Sequence, residues 1–251
     1  MPKIQVHAAT SAAKTGKDYM AVHEWLDSDP DKKAERHDVA KVRDNGKLIE
    51  AQYGEEGRRE FIRHIVDDLT MTGISEADIG ILRREGVSED DIAHCVKVAE
   101  KAAELAVRTG APLDMELVCR GALFHDLGKA KTHAMEHGKL GAEMGAALGL
   151  PKSVTDVMEK HIRGGLTAAE AVELGLPVKD YTLGLLEERI IIYADRLVDI
   201  ITEDVVDIGP DEREAERRFE EILRAYPKYG KNETTLGRYV GYHNEIQGLM
   251  A

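Results

Sequence analysis

The chain of 251 residues is poor in cysteine: Cys95 and Cys119 are its only two, both in apolar stretches of helical pattern and neither in Cys-x-x-Cys spacing. No disulfide framework or thiolate zinc site is expected from them, and a reduced compartment fits. Long hydrophobic runs are missing too. Stretches such as 190–193 fall far short of the roughly 20 apolar residues that a membrane span needs. The opening Met1-Pro2-Lys3-Ile4-Gln5-Val6-His7 turns polar at once and does not read as a secretory leader. The expectation is a cytoplasmic protein with no membrane partner. Basic charge is also in deficit, with 34 Lys and Arg against 47 Asp and Glu and a net charge of −13. Such a surface repels a polyanion and argues against general nucleic-acid binding. A small phosphorylated substrate remains possible, because a metal ion reverses the field inside a single pocket.

What is present is helix signal and histidine. The hydrophobic share is 43%, enough for a real core. Phe61, Ile62, Ile65, Val66 and Leu69 form an apolar stripe of helical period. Ser75 before Asp78 and Ser88 before Asp91 resemble helix-opening capping boxes, and the helix after Ser88 is expected to run over 89–109 and stop at Gly110. Further helices are expected over 114–126, 136–148 (closing on Gly149), from Pro151 to Arg163, after Thr167 to Gly175, and over 186–202, 211–225 and 233–249. Strand signals are confined to weak candidates at 4–6 and 48–52. The fold class is all-α, a helical bundle with short connections preceded by a smaller, mainly helical unit. Residues 1–70 are richer in charge and turn signals, so the boundary is placed there, with a second domain over 71–251.

Ten histidines beside two cysteines mean that any metal here is held by nitrogen and oxygen. The strongest local signal is Leu123-Phe124-His125-Asp126-Leu127-Gly128-Lys129, where adjacent His and Asp at a helix end let two ligand types face one point. His94, His137, His161 and Asp195 each fall on a separate expected helix, so a bundle core can bring them together. Taken singly, His94 beside Ile92 and Cys95 would more often be an ordinary core histidine, and Asp195 between Ile191 and Val198 a buried ion-pair partner.

Together these residues resemble the HD-domain superfamily of metal-dependent phosphohydrolases. Its pattern is a His, an adjacent His-Asp pair and a distant Asp, matched by His94, His125-Asp126 and Asp195. His125-Asp126-Leu127-Gly128-Lys129 is similar to the HDIG variant with leucine in place of isoleucine. Glu136-His137-Gly138-Lys139 resembles the family segment that supplies a second-metal histidine, with Gly138 where proline is usual; Lys160-His161-Ile162 resembles another. The resemblance covers about 75–205 and is nearest to a short group found in archaea and some bacteria.

It implies hydrolysis of a nucleotide or other small phosphomonoester or phosphodiester with one or two divalent ions, drawn from Mn, Fe, Mg, Ni, Co and Zn. His94, His125, Asp126 and Asp195 would hold one ion; Asp126, His137 and His161 would hold the other. Lys129 would face the substrate phosphate alongside Asp126 as the catalytic pair, and Arg163 and Arg196 would clamp phosphate. The motif marking cyclic-di-GMP hydrolysis is replaced after His161 by Arg163-Gly164-Gly165. Two other readings share the donor set: a di-iron oxygenase, and a nucleotide- or phosphate-sensing module with a structural metal.

In the N-terminal part, His7, His23 and His37 lie near Tyr19, Trp25 and Asp27. A second metal site is one reading of them, but histidines scattered through a charged segment are ordinarily solvated, and the segment resembles a small helical domain of unknown function found in bacteria and their phages. The expectation is a covering, substrate-restricting or self-associating unit, with a homo-oligomer possible.

Overall fold

The computed structural model describes residues 4–209 and 211–250, and among them every regular element is helical. In order these are α1 (Ile4–Thr15), α2 (Met20–Asp27), α3 (Pro30–Arg36), α4 (Val42–Gly73), α5 (Glu76–Glu85), α6 (Glu89–Thr109), α7 (Met115–Phe124), α8 (His137–Ala147), α9 (Lys152–Lys160), α10 (Ala168–Glu173), α11 (Leu186–Thr202), α12 (Arg213–Arg217), α13 (Phe219–Ala225), α14 (Pro227–Gly230) and α15 (Glu233–Met250). No helix among them is long and apolar enough to cross a membrane.

Most boundaries follow from local chemistry. Ser75 Oγ accepts the Asp78 amide and Ser88 Oγ the Asp91 amide, satisfying amides that the first turns of α5 and α6 leave free. Asp114 caps α7 in the same way, and Thr167 with Glu170 forms a capping box for α10. α6 ends on left-handed Gly110. The expected helix over 211–225 is broken at Arg218, giving α12 and α13, and α9 stops at Lys160 before a tight turn in which Arg163 is left-handed.

The two strand candidates are corrected: 4–6 begin α1 and 48–52 lie within α4. Val42, Asn45, Gly46 and Ile49 are buried at i, i+3, i+4 and i+7, so helical period overrides the short β-prone run. α4 is interrupted at Gly54, whose φ of 73° and ψ of −177° separate two helical halves.

The main core gathers α6, α7, α9, α11 and α15 around buried Val98, Ala102, Phe124, Ile191, Tyr193 and Leu197. A smaller core forms where α2 and α4 meet α6 and α7, with Leu26, Ile49, Phe61 and Ile65 against Ala103, Val107 and Cys119. α4 thus carries the chain past residue 70 and buries part of its face on the larger unit.

Candidate metal centre

α6, α7 and α11 are mutually packed, which places their inward-facing polar residues at one point. His94 comes from α6, His125 and Asp126 from the end of α7, and Asp195 from the middle of α11, flanked by buried Ile191 and Val198. A short 3₁₀ turn (Leu127–Ala130) follows the pair and turns the chain toward α8. Gly128 makes that possible: a Cβ there would lie 1.9 Å from the His137 carbonyl oxygen. Only glycine lets α8 approach this closely and deliver His137 to the site.

Asp126 is the hinge of the arrangement. Its Oδ2 lies 3.1 Å from His125 Nε2 and 3.9 Å from His94 Nε2, and Asp195 Oδ1 lies 3.0 Å from His94 Nε2 and 3.6 Å from His125 Nε2. Its other oxygen, Oδ1, lies 3.2 Å from His137 Nε2 and 3.4 Å from His161 Nε2. Two groups of donors therefore share one carboxylate.

The tautomers are set by backbone carbonyls, which only accept. His125, His137 and His161 each present Nδ1 to a carbonyl three residues earlier, at 2.7, 2.6 and 2.7 Å, so each Nδ1 carries a hydrogen and donates it. In the neutral rings every Nε2 is then a lone pair aimed inward. His137 Nε2 and His161 Nε2 are 2.8 Å apart, and His125 Nε2 is buried with no hydrogen-bond partner. Converging imidazole lone pairs around one carboxylate are what a cation requires, and the imidazole and carboxylate set suits a divalent transition metal. The six residues fit one or two such ions.

Burial alone would raise the Asp126 pKa, but in the absence of an ion the surrounding imidazoles, foremost His125, hold it well below the usual carboxylate range when they carry a proton on Nε2. The same balance governs Asp195, with His125 and His94 as partners. Burial would lower Lys129, yet the charge and hydrogen bond of Asp126 outweigh it and keep the ammonium protonated. Its Nζ is 2.6 Å from Asp126 Oδ2 and 3.7 Å from Asp91 Oδ1. His133 is largely exposed.

The two arginines have different surroundings. Arg196 is buried; it donates to Asp199 at 2.9 Å and to the Tyr239 hydroxyl at 3.1 Å, and stacks on that ring. Its guanidinium is thus engaged by Asp199 and Tyr239. Arg163 is half-buried with φ of 51°, and its carbonyl accepts from Arg238. Lys231, which sequence patterning did not single out, has φ of 62°, and burial and the charges of Arg196 and Arg163 lower its pKa. A cleft of about 750 Å³, lined by charges of both signs from α4, α6 and the segment after α11, includes none of the six donors. Chemistry here follows the donors rather than the volume.

The HD domain family matches residues 91–199, a span that holds all six donors. An uncharacterized protein of Methanocaldococcus jannaschii is 38% identical over 170 residues, covering 65% of this chain and 91% of that protein. The tRNA (cytidine(56)-2'-O)-methyltransferase of Picrophilus torridus is 38% identical over 118 residues, covering 47% of this chain and 34% of the enzyme. Ribonuclease Y of Thermobifida fusca is 35% identical over 161 residues, covering 55% and 32%. The match spans only about a third of these last two proteins. With a family match centred on the six donors, and a relative matched over nine-tenths of its length, the chain belongs to the HD-domain superfamily of metal-dependent phosphohydrolases.

Proposed function

We propose that the protein hydrolyses a nucleotide or another small phosphoester at a centre able to hold two divalent ions. The observation that carries this is the division of Asp126: one oxygen faces His94 and His125, which Asp195 also approaches, and the other faces His137 and His161. Divalent metal bound there supplies Lewis acidity toward a phosphoryl oxygen and activates water for attack. The chain's own residues then have separable tasks. The backbone-fixed Nδ1 hydrogens hold three imidazoles in the metal-binding tautomer. Lys129 supplies a positive charge beside the shared carboxylate, suited to balancing charge that grows on the phosphate.

Arg163 and Lys231 are candidates for contacting substrate, both held at positive φ, a strain that concentrates at functional sites. Arg196 and Asp195 sit on adjacent positions of α11, so Arg196 acts as a positioning residue through Tyr239 and Asp199.

The methyltransferase and the ribonuclease are both named for acting on RNA, but a net charge of −13 disfavours a long polyanion here. The test is a panel of nucleotides, cyclic dinucleotides, a generic phosphodiester and a short RNA, assayed with Mn²⁺ or Co²⁺. Turnover of a small phosphoester is expected. Asp126→Asn should lower kcat/KM at least about a thousandfold, or about 4 kcal/mol of barrier, with the far-ultraviolet helix signal unchanged. Undiminished activity in Asp126→Asn would refute the assignment; preference for the RNA would replace its substrate class.

A further inference from the structure

The histidines of the N-terminal unit are not solvated. His7, His23, His37 and His64 collect in one buried cluster with Asp27 and Asp68, drawn from α1, α2, the end of α3 and α4. We propose that this cluster is a second metal site, separate from the HD centre, in which Asp27, His37, His64 and Asp68 bind one divalent transition-metal ion.

The hydrogen bonds assign the tautomers. His37 Nδ1 donates to the Lys33 carbonyl at 2.7 Å, the device seen three times in the HD centre, so His37 Nε2 is a lone pair. On the other side the chain starts at Glu60, a buried carboxylate that takes the Ser11 hydroxyl hydrogen and an ion pair from Arg63. His23 Nε2 faces Glu60 Oε1 at 3.3 Å and Ser11 Oγ at 3.1 Å, which places its hydrogen on Nε2 and leaves Nδ1 to accept. That acceptor meets His64 Nδ1 at 2.9 Å, so His64 carries its hydrogen on Nδ1 and presents a bare Nε2. The two bare nitrogens, His37 Nε2 and His64 Nε2, face each other at 3.1 Å.

Carboxylates close the cage. Asp27 Oδ1 is 3.5 Å from His37 Nε2 and Asp27 Oδ2 is 3.6 Å from His64 Nε2; Asp68 Oδ2 is 3.5 Å from the first nitrogen and 3.8 Å from the second. Asp27 Oδ2 and both oxygens of Asp68 are buried and accept no hydrogen bond. His7 Nε2, 3.3 Å from Asp68 Oδ1, is equally unpartnered and orients that carboxylate. Lys33 pairs with Asp27 Oδ1 at 2.5 Å and offsets one of the two negative charges; the other faces histidines only. A tetrahedral ion with bonds of about 2.0–2.2 Å requires ligand–ligand edges of about 3.3–3.6 Å. The five His–His and His–carboxylate separations, 3.1–3.8 Å, bracket that range. Asp27, His37 and His64 already lie close enough to share one ion, and Asp68 beside both nitrogens supplies the fourth ligand of a closed, structural site that ties α2, α3 and α4 together.

The experiment uses the full chain with the HD centre disabled by His125→Ala and Asp126→Ala, titrated with Co²⁺ and followed by visible ligand-field absorption. One equivalent with an intense tetrahedral spectrum is expected. Adding His37→Gln or Asp27→Asn should weaken binding at least about a hundredfold while far-ultraviolet dichroism stays unchanged. Asp38→Asn, at the exposed neighbour of His37, should leave binding intact and serves as the control for folding. Failure of the HD-disabled chain to bind Co²⁺, or equal affinity with and without His37→Gln, would overturn the site.

Discussion

Asp126 is set apart from an ordinary ion-paired aspartate by having imidazole nitrogens on both of its oxygens. Its neighbour in sequence made it conspicuous, since an adjacent His-Asp pair at a helix end has few bland explanations. His64 shows the opposite case. It lies inside the stripe Phe61, Ile62, Ile65 and Val66, all buried, and a polar residue within such a pattern reads as one more helical core position. The cysteines were legible from their apolar surroundings alone. Burial pushes the Cys119 thiol up to about 11 and raises Cys95 as well, so neither is a thiolate at neutral pH. Ellman's reagent at pH 8 should therefore label neither thiol in the native protein within minutes, and both after denaturation. Fast labelling of one in the native state would contradict the packing.

At the scale of elements, helix starts were readable because Ser, Thr and Asp caps act within three residues. The seat of α8 was not. Gly128 and His137 are nine positions apart, and only packing shows that the glycine exists to admit the His137 carbonyl. Gly128→Ala should force backbone apart, costing about 2–3 kcal/mol and lowering Tm by roughly 5–10 °C in a thermal melt. It should also weaken metal binding more than an alanine in the exposed segment after α11 does, because His137 and the shared carboxylate move together. A melt within a degree of the parent would show that α8 can yield without cost.

For the whole molecule, charged residues on distant segments link the first and last thirds of the HD unit. Arg108 of α6 forms a two-pronged bridge with Glu216 of α12 at 2.8 and 2.9 Å and also holds Glu104, which Lys101 joins. Burial alone would raise the Glu104 pKa, but the charges of Lys101 and Arg108 lower it overall. A carboxylate whose folded pKa lies below its unfolded value stabilises above the unfolded pKa and loses that effect as pH falls through the folded one. Glu104→Gln should thus destabilise by about 1–3 kcal/mol at pH 7, and urea midpoints of the two proteins should converge below about pH 4. A constant gap down to pH 3 would assign the loss to packing instead.

The amino-acid order by itself determined the helical class, the main helices of the HD unit and the residue types able to hold a cation. Each of these depends on neighbours a few positions away or on composition. Tertiary structure decided which oxygen of Asp126 serves which histidines, that Arg196 turns inward to Tyr239, and that the N-terminal histidines converge with Asp27 and Asp68. Those outcomes rest on where helices cross: a rotation of one residue, about 100° around a helix, would send the same side chain to solvent.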